Sequence, residues 1–445
     1  MKNNDLTEGN ILTRLLLFAV PFLIANIWQS LYGAADLLVV GKYCGAESVA
    51  AVATGTQVTQ IITSLITGLT LGSTILIGKY MGCGDIERVK KTIGTTLTVF
   101  FLFALLLTLL LIAFGKPLLR LLDTPEDSFA LTYRYVAVCA AGNVFICGYN
   151  AISAILRGYG DSLRPMIFVG IACVINIVLD VVFVKEWGMG VEGTAFATII
   201  SQGISMILAV AYLKWKKFIF DFKPKSFRPV GAVAKELAAV GIPISFQELM
   251  VRISFLYLMA VMNRCGVYAA AIVGIGSKFD VFAMLSATSI ANALAAFTAQ
   301  NMGAGKPKRA RKALWYGMGF ALFVAALFWG WAQVNPASMI RVFSKSPEIV
   351  QAGIPFFRSC SYDYLMVAMV FCLNGYLNGR EKTVWTMVSC SAGALLLRIP
   401  LVYLFGEHFA GDLGKLGMIA PTVSGIMAAY TLVYVLYEGR KGRLG

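Results

Sequence analysis

Asn26-Ile-Trp-Gln29-Ser-Leu-Tyr32-Gly33-Ala-Ala-Asp36 interrupts a stretch that is otherwise hydrophobic from Ile11 to Val40. The stretch is long enough to cross a bilayer as a helix, which takes about 20 residues. At about 100° per residue, Asn26, Gln29, Gly33 and Asp36 fall on one side of that helix. They make a polar stripe on a membrane helix. A carboxylate at mid-membrane costs roughly 2.5–3.5 kcal/mol even on the lenient insertion scale, so Asp36 is expected to face a cavity or a partner, not lipid.

The rest of the chain has the same apolar character. Of its 445 residues 58% are hydrophobic and only 14% charged, which excludes an ordinary soluble enzyme. Periodicity and breaker residues predict an all-α integral membrane protein of twelve spans, near 12–40, 49–77, 93–115, 130–155, 165–185, 193–213, 236–262, 270–298, 313–333, 354–376, 384–405 and 417–437. The net charge of +15 would suggest a nucleic-acid partner in a soluble protein, but its distribution points elsewhere. With the N-terminus in the cytoplasm, 25 of the 38 basic residues lie in inner segments, eight in outer ones and five within spans. The positive-inside rule therefore places both termini in the cytoplasm and reads the charge as topology and headgroup contact. The first eleven residues carry no cleavage pattern, so the first span is expected to stay as a helix. Nine cysteines without CxxC or Cys/His spacing predict neither disulfide framework nor zinc site. Cys44 and Cys265, near outer loops, are expected as free thiols, and the only histidine, His408, as a solvated loop residue.

The spans form one unit used twice. Pro21 and Pro243 stand 222 positions apart, as do Pro125 and Pro347. Gly78-Lys-Tyr-Met-Gly82-Cys-Gly84 matches Ala299-Gln-Asn-Met-Gly303-Ala-Gly305, and Ile155-Leu-Arg-Gly158 matches Tyr376-Leu-Asn-Gly379, both at an offset of 221. Six spans per repeat is an even number, so both halves share one orientation. The expected organisation is an N-lobe over 1–213, a basic cytoplasmic linker over 214–235 and a C-lobe over 236–445. Two six-helix bundles with a central cleft suit alternating access, and since both bundles lie on one chain a monomer suffices.

Several of these residues resemble a known family. The Pro21 and Asp36 pattern, Val-Ile-Asn176-Ile-Val-Leu-Asp180, Gly190-Val-Glu-Gly-Thr-Ala-Phe-Ala-Thr198-Ile-Ile-Ser-Gln202 and Ala-Gln-Asn-Met-Gly-Ala-Gly305 together resemble the multidrug and toxic compound extrusion (MATE) family, over nearly the whole chain. The resemblance implies a V-shaped antiporter in a bacterial plasma (inner) membrane that expels small amphipathic organic cations in exchange for H⁺ or Na⁺, with no other cofactor. The family's N-lobe cation site falls on Asp36, Asn176, Asp180 and Thr198. Its alternative C-lobe acidic positions fall on Val251 and Val367, which argues against that site; Glu248 and Asp363, about one turn away, keep a substitute open.

The residues support this chemistry on their own terms. Asn176 and Asp180, at i and i+4, share a helix face, and Thr194, Thr198, Gln202 and Ser205 make a stripe on the next span. Two carboxylates and two neutral oxygens suit Na⁺; the same carboxylates, in a low dielectric, can instead share a proton. Structural glue between helices is the competing reading for Asn176 and Asp180. Gln57, Gln60, Ser64, Gly68 and Gly72 run down one face of the second span; the glutamines read as cavity lining and the glycines as close packing. Asn26, Gln29, Tyr32, Asn143, Asn150, Glu248, Asp280 and Asp363 are further candidates for the substrate cavity. Glu248 and Arg252, one turn apart, also suit a structural pair. Arg398 occupies the repeat position of Asn176, so the two lobes have diverged in chemistry.

Other functions fit less well. Gly72-Ser-Thr-Ile-Leu-Ile-Gly78-Lys79-Tyr80 has the wrong glycine spacing and a tyrosine where a phosphate-binding loop needs Ser or Thr. No nucleophile and base can be assigned, so an enzyme is not expected. A flippase for a lipid-linked oligosaccharide, an exporter of one specific metabolite and a channel or sensor remain as alternatives.

Overall fold

The structure, a computed structural model, describes residues 5–122, 124–216, 218–264, 267–408 and 412–440. All regular elements among them are helical. The first repeat contributes α1 (Ile11–Tyr43), α2 (Ala46–Gly82), α3 (Ile86–Leu121), α4 (Glu126–Ala141), α5 (Asn143–Gly158), α6 (Leu163–Asp180) and α7 (Gly190–Trp215). The second contributes α8 (Gly231–Arg264), α9 (Val267–Gly303), α10 (Pro307–Val334), α11 (Pro336–Arg341), α12 (Pro347–Cys360), α13 (Tyr362–Gly379), α14 (Thr383–Ala392), α15 (Ile399–His408), α16 (Leu413–Gly417) and α17 (Ile419–Arg440). Among the described residues eleven helical stretches are long and apolar enough to cross a membrane, and α4 with α5, bent by 48° at Gly142, makes the twelfth when taken as one span. The twelve spans expected from the sequence are therefore present. Cys265 and the side chain of His408 lie outside the described residues.

Burial separates the helices by role. In α3 the most apolar window has a mean hydropathy of 2.9 yet is only 22% buried, with Phe101, Leu105, Leu109 and Ile112 exposed. Such a surface is soluble only in lipid. The corresponding window of α2 is 72% buried. Between lipid-solvated helices the hydrophobic effect offers little, so close contact depends on small residues. A β-carbon at Gly158 of α5 would lie 2.8 Å from the Thr74 carbonyl of α2, and one at Gly379 of α13 2.5 Å from the Ala295 carbonyl of α9. These are the same contact in the two repeats, 221 positions apart.

The repeat extends to individual turns. After α2 the amide of Gly84 donates to Met81 at 3.1 Å and that of Asp85 to Tyr80 at 3.1 Å; after α9 Gly305 donates to Met302 at 3.1 Å and Lys306 to Asn301 at 2.8 Å. Gly84 and Gly305 both have positive φ, 73° and 68°, where a side chain is costly. The turn after α5 has Gly160 at φ 93°; its counterpart after α13 is Glu381, at φ 60°.

The chain divides into two compact units that do not coincide with the expected lobes. One comprises residues 21–245, the other residues 5–20 with 246 onward. Each repeat thus gives the opening part of its first helix to the other unit, with the change-over at or near Pro21 in α1 and Pro243 in α8. Within the first unit the opening of α8 lies against α2. Ser245 Oγ donates to Leu65 O at 2.7 Å, a β-carbon at Gly68 would collide with Ser245, and one at Gly72 would lie 2.9 Å from Gly241 Cα. The Tyr80 hydroxyl donates to the Glu236 carboxylate. Within the second unit Gln300 Oε1 accepts from Leu6 N at 3.3 Å, and Asn301 Nδ2 donates to Leu6 O at 3.2 Å. Arg309 donates to the carbonyls of Glu8 and Gly9, at 2.9 and 2.7 Å. Gln300 and Asn301 are the counterparts of Lys79 and Tyr80. The last turn of the second helix of each repeat therefore holds the other repeat's first helix near its start, through Glu236 in α8 and through Leu6 just before α1. The linker is also packed: Thr98 Oγ1 donates to Phe227 O at 2.5 Å, and Val230 N to Thr95 Oγ1 at 3.1 Å, both on α3.

Candidate functional site

In the first unit α1, α6 and α7 bring four predicted residues together. Cys173 Sγ on α6 donates to Trp28 O on α1 at 3.5 Å, and Ser205 Oγ on α7 donates to Phe168 O on α6 at 3.1 Å. These ties set the three helices side by side. Asp36, Asn176, Asp180 and Thr198 are 4, 1, 0 and 8% exposed, and the Asp36 carboxyl faces the side chains of the other three. Asp180 is the last α-helical residue of α6, which continues as a π-helical turn, Val181–Glu186. Such turns shift the side-chain register within a helix and recur at functional sites.

The cluster is unsatisfied. Asp36 Oδ1, Asn176 Oδ1 and Nδ2, both carboxylate oxygens of Asp180, and Thr198 Oγ1 are buried without a hydrogen-bond partner. They point toward one another without completing bonds of normal geometry. Among the described residues no lysine or arginine pairs with either carboxylate. Buried polar groups almost always have partners, and a buried carboxylate pair without a counter-charge costs several kcal/mol. Oxygens of this kind, carboxylate, amide and hydroxyl, suit a monovalent cation; two neighbouring carboxyls equally suit a shared proton.

A second layer surrounds Asp36. Tyr32 on α1, expected as a substrate-cavity residue, lies within electrostatic reach of it, and so do Tyr135 and Cys139 on α4. Sequence reading missed Tyr135. Its signal was present: Tyr135 and Cys139 stand one turn apart, and Gly55 on α2 leaves room for the Tyr135 ring. The other first-repeat candidates disperse. Asn26 is half-buried, while Gln29, Gln57 and Gln60 are exposed on the first unit. Asn143, expected on a cavity wall, is instead 1% exposed and closed inside the α4–α5 bend, where Nδ2 donates to Thr108 Oγ1 at 3.5 Å. Asn150 turns back on its own helix, donating to Ile146 O at 2.8 Å. Of the second-repeat candidates, Glu248 lies within electrostatic reach of Arg252 one turn on, and Asp280, half-buried, and Asp363, buried, lie within electrostatic reach of each other and of Arg398.

Comparison with known proteins agrees with this architecture. The chain is 29% identical over 412 residues, 91% of each sequence, to a Bacillus subtilis protein named probable multidrug resistance protein YpnP. It is 25% identical to a Shewanella oneidensis protein named FAD transporter, across 90% of this chain and 89% of that one. A solved structure described as MATE in the bent conformation superposes with a TM-score of 0.93 at 21% identity, covering 100% of this chain and 98% of that one, which shows a shared fold. The MatE family model matches twice, at residues 21–182 and 243–404. Its two matches are offset by the 222 positions that separate Pro21 from Pro243, and on that twofold match the chain belongs to the MatE family of membrane transporters, not to the enzymes.

Proposed function

We propose that the protein is a secondary active efflux antiporter for small amphipathic cations in a bacterial plasma membrane, with both termini cytoplasmic. The coupling ion, H⁺ or Na⁺, binds at Asp36, Asn176, Asp180 and Thr198. One observation carries this reading: a buried carboxylate pair in which Asp36 Oδ1 and both Asp180 oxygens make no hydrogen bond of normal geometry, and beside which no lysine or arginine stands among the described residues. Relatives named as multidrug resistance proteins support the export of drugs. With the pair ionised, Coulomb attraction in a poorly screened interior favours a cationic substrate. An entering cation or proton removes that charge and joins the orphaned oxygens, which changes the packing of α1 against α6 and α7 and weakens substrate retention. The ion drives export only through this difference in affinity between loaded and unloaded states.

The test is ethidium export from proteoliposomes under a pH gradient alone and then a Na⁺ gradient alone. Wild type should respond to one of them, and Asp36→Asn and Asp180→Asn should each lose the response while remaining folded. Wild-type flux in either variant would overturn the assignment. A second reading, export of one specific anionic metabolite, is favoured by the relative named FAD transporter. Flavin-nucleotide flux in place of ethidium flux would select it.

A further inference from the structure

The segment between the two repeats is folded onto the first unit by a specific fit. A β-carbon at Gly94 of α3 would collide with the Ser226 carbonyl oxygen, so glycine lets the linker lie this close. Just beyond that contact Thr98 Oγ1 donates to Phe227 O at 2.5 Å and Val230 N donates to Thr95 Oγ1 at 3.1 Å. The linker has its own small core. Phe220 is buried, and its ring meets Phe222 at 5.1 Å and Phe227 at 5.4 Å, while Phe218 meets Tyr159 at 5.1 Å. Phe222 stands at φ 52°, a conformation that a side chain resists; the ring packing holds it there. In the second repeat, 221 positions after Gly94, Thr95 and Thr98, stand Trp315, Tyr316 and Gly319. The docking site therefore serves the linker and is not part of the duplicated unit.

The outer side of the docked linker is basic. Trp215, the last residue of α7, is 75% exposed, and Lys216 Nζ lies 4.4 Å from its ring centroid. Lys214, Lys216, Lys225 and Arg228 are exposed, as is Lys91, one turn before Thr95 on α3. Among the described residues none of these five cations forms an ion pair with a carboxylate. The one acid of the linker, Asp221, is engaged by Ser226 Oγ at 2.5 Å and by Lys223 Nζ at 3.6 Å. Tryptophan prefers the headgroup level of a bilayer, and basic clusters at the end of a membrane helix attract anionic lipid. An unfolded linker would carry the same charge, but docking fixes it beside the ends of two lipid-facing helices, α3 and α7.

We infer that the docked linker is a lipid-binding surface: Trp215 seats at headgroup level, and Lys91, Lys214, Lys216, Lys225 and Arg228 bind the phosphodiester groups of anionic lipids. The inference needs neither the ion site nor a direction of transport. The chemistry recognised is a phosphate oxyanion, and the exposed indole beside the cations favours a lipid over a free phosphate.

The experiment uses the purified full-length protein in nanodiscs of mixed phosphatidylcholine and phosphatidylglycerol, with a bromine quencher carried by one lipid or the other. The difference in emission between wild type and Trp215→Phe isolates Trp215. One basic residue close to an anionic surface gives about a fivefold preference, so brominated phosphatidylglycerol should quench Trp215 at least about threefold more than brominated phosphatidylcholine at equal mole fraction. Lys225→Gln with Arg228→Gln should lower that preference while the linker stays docked. Gly94→Val keeps every charge but evicts the linker, which hydrogen exchange of residues 218–230 reads directly, and the preference should fall toward equality. If Gly94→Val does not fold, Thr95→Val with Thr98→Val removes both threonine bonds without a clash and should act likewise. Equal quenching by the two lipids in wild type overturns the inference, and so does an undiminished preference in a folded variant whose linker is released. Loss of the wild-type preference on adding inorganic phosphate at constant ionic strength would overturn it in favour of a soluble phosphate.

Discussion

A β-carbon at Gly55 would run into the Tyr135 ring, and that ring stands in the layer around Asp36. Gly55→Ala should therefore cost about 1–3 kcal/mol, the usual penalty for overpacking a filled interior. It should lower the thermal midpoint in detergent and slow gradient-driven export by moving Tyr135. Substitution in the opposite sense is informative at Glu381, whose φ of 60° matches a turn that its repeat counterpart makes with Gly160. Relief of a left-handed side chain is worth roughly 1 kcal/mol, so Glu381→Gly should raise the midpoint with transport unchanged. The two changes separate a glycine required by a neighbour from one required by the backbone.

At the scale of elements, the exchanged helix openings matter most. Residues 5–9 are held in the second unit by Gln300, Asn301, Lys306 and Arg309. Asn301→Ala removes a buried donor to Leu6 O, a loss of about 1–2 kcal/mol, which is a factor of about 5–30 in a local opening equilibrium. A maleimide should react faster by that factor with Thr7→Cys in the Asn301→Ala background. Tyr80→Phe should loosen the opening of α8 in the same way, since it removes the donor to Glu236. Equal labelling rates with and without Asn301 would show that the motif after α9 does not restrain α1. Because α1 carries Asp36 in its other half, a loosened opening should also weaken ion coupling.

For the whole molecule, the orientation rests on the distribution of basic residues. Cys83, exposed in the turn between α2 and α3, offers a native reporter. In a Cys44→Ser, Cys265→Ser background a membrane-impermeant maleimide should leave Cys83 unlabelled in intact cells and label it after permeabilisation; labelling of Cys83 in intact cells would invert the topology. The density of apolar surface on α3 has a related consequence. Phe101, Leu105 and Leu109 face outward, so a charged substitution such as Leu105→Lys should impair insertion by roughly 2.5–3.5 kcal/mol near the helix centre, visible as lower yield in the membrane fraction.

That Asp36, Asn176, Asp180 and Thr198 belong together was implied only by the resemblance to a known family; the number of spans, their duplication and the polar helix faces could be read from the sequence itself. Each is a local or periodic property: apolar length, a repeat offset near 222, and polar residues one helical turn apart on otherwise apolar faces. Depth and partnership are not periodic. Asn143 and Gln57 look alike along the chain, but one is closed into a helix bend and the other is exposed, because that depends on which helix lies opposite. Tyr135 joined the surroundings of Asp36 only through Gly55 on another helix, and the exchange of helix openings is invisible to any reading that treats each repeat as a self-contained bundle. Arg398 could be placed in the repeat by counting. Its position against Phe255 and Ser254 of α8 was decided by a π-helical turn and tertiary packing, contacts between residues more than a hundred positions apart that no local pattern encodes.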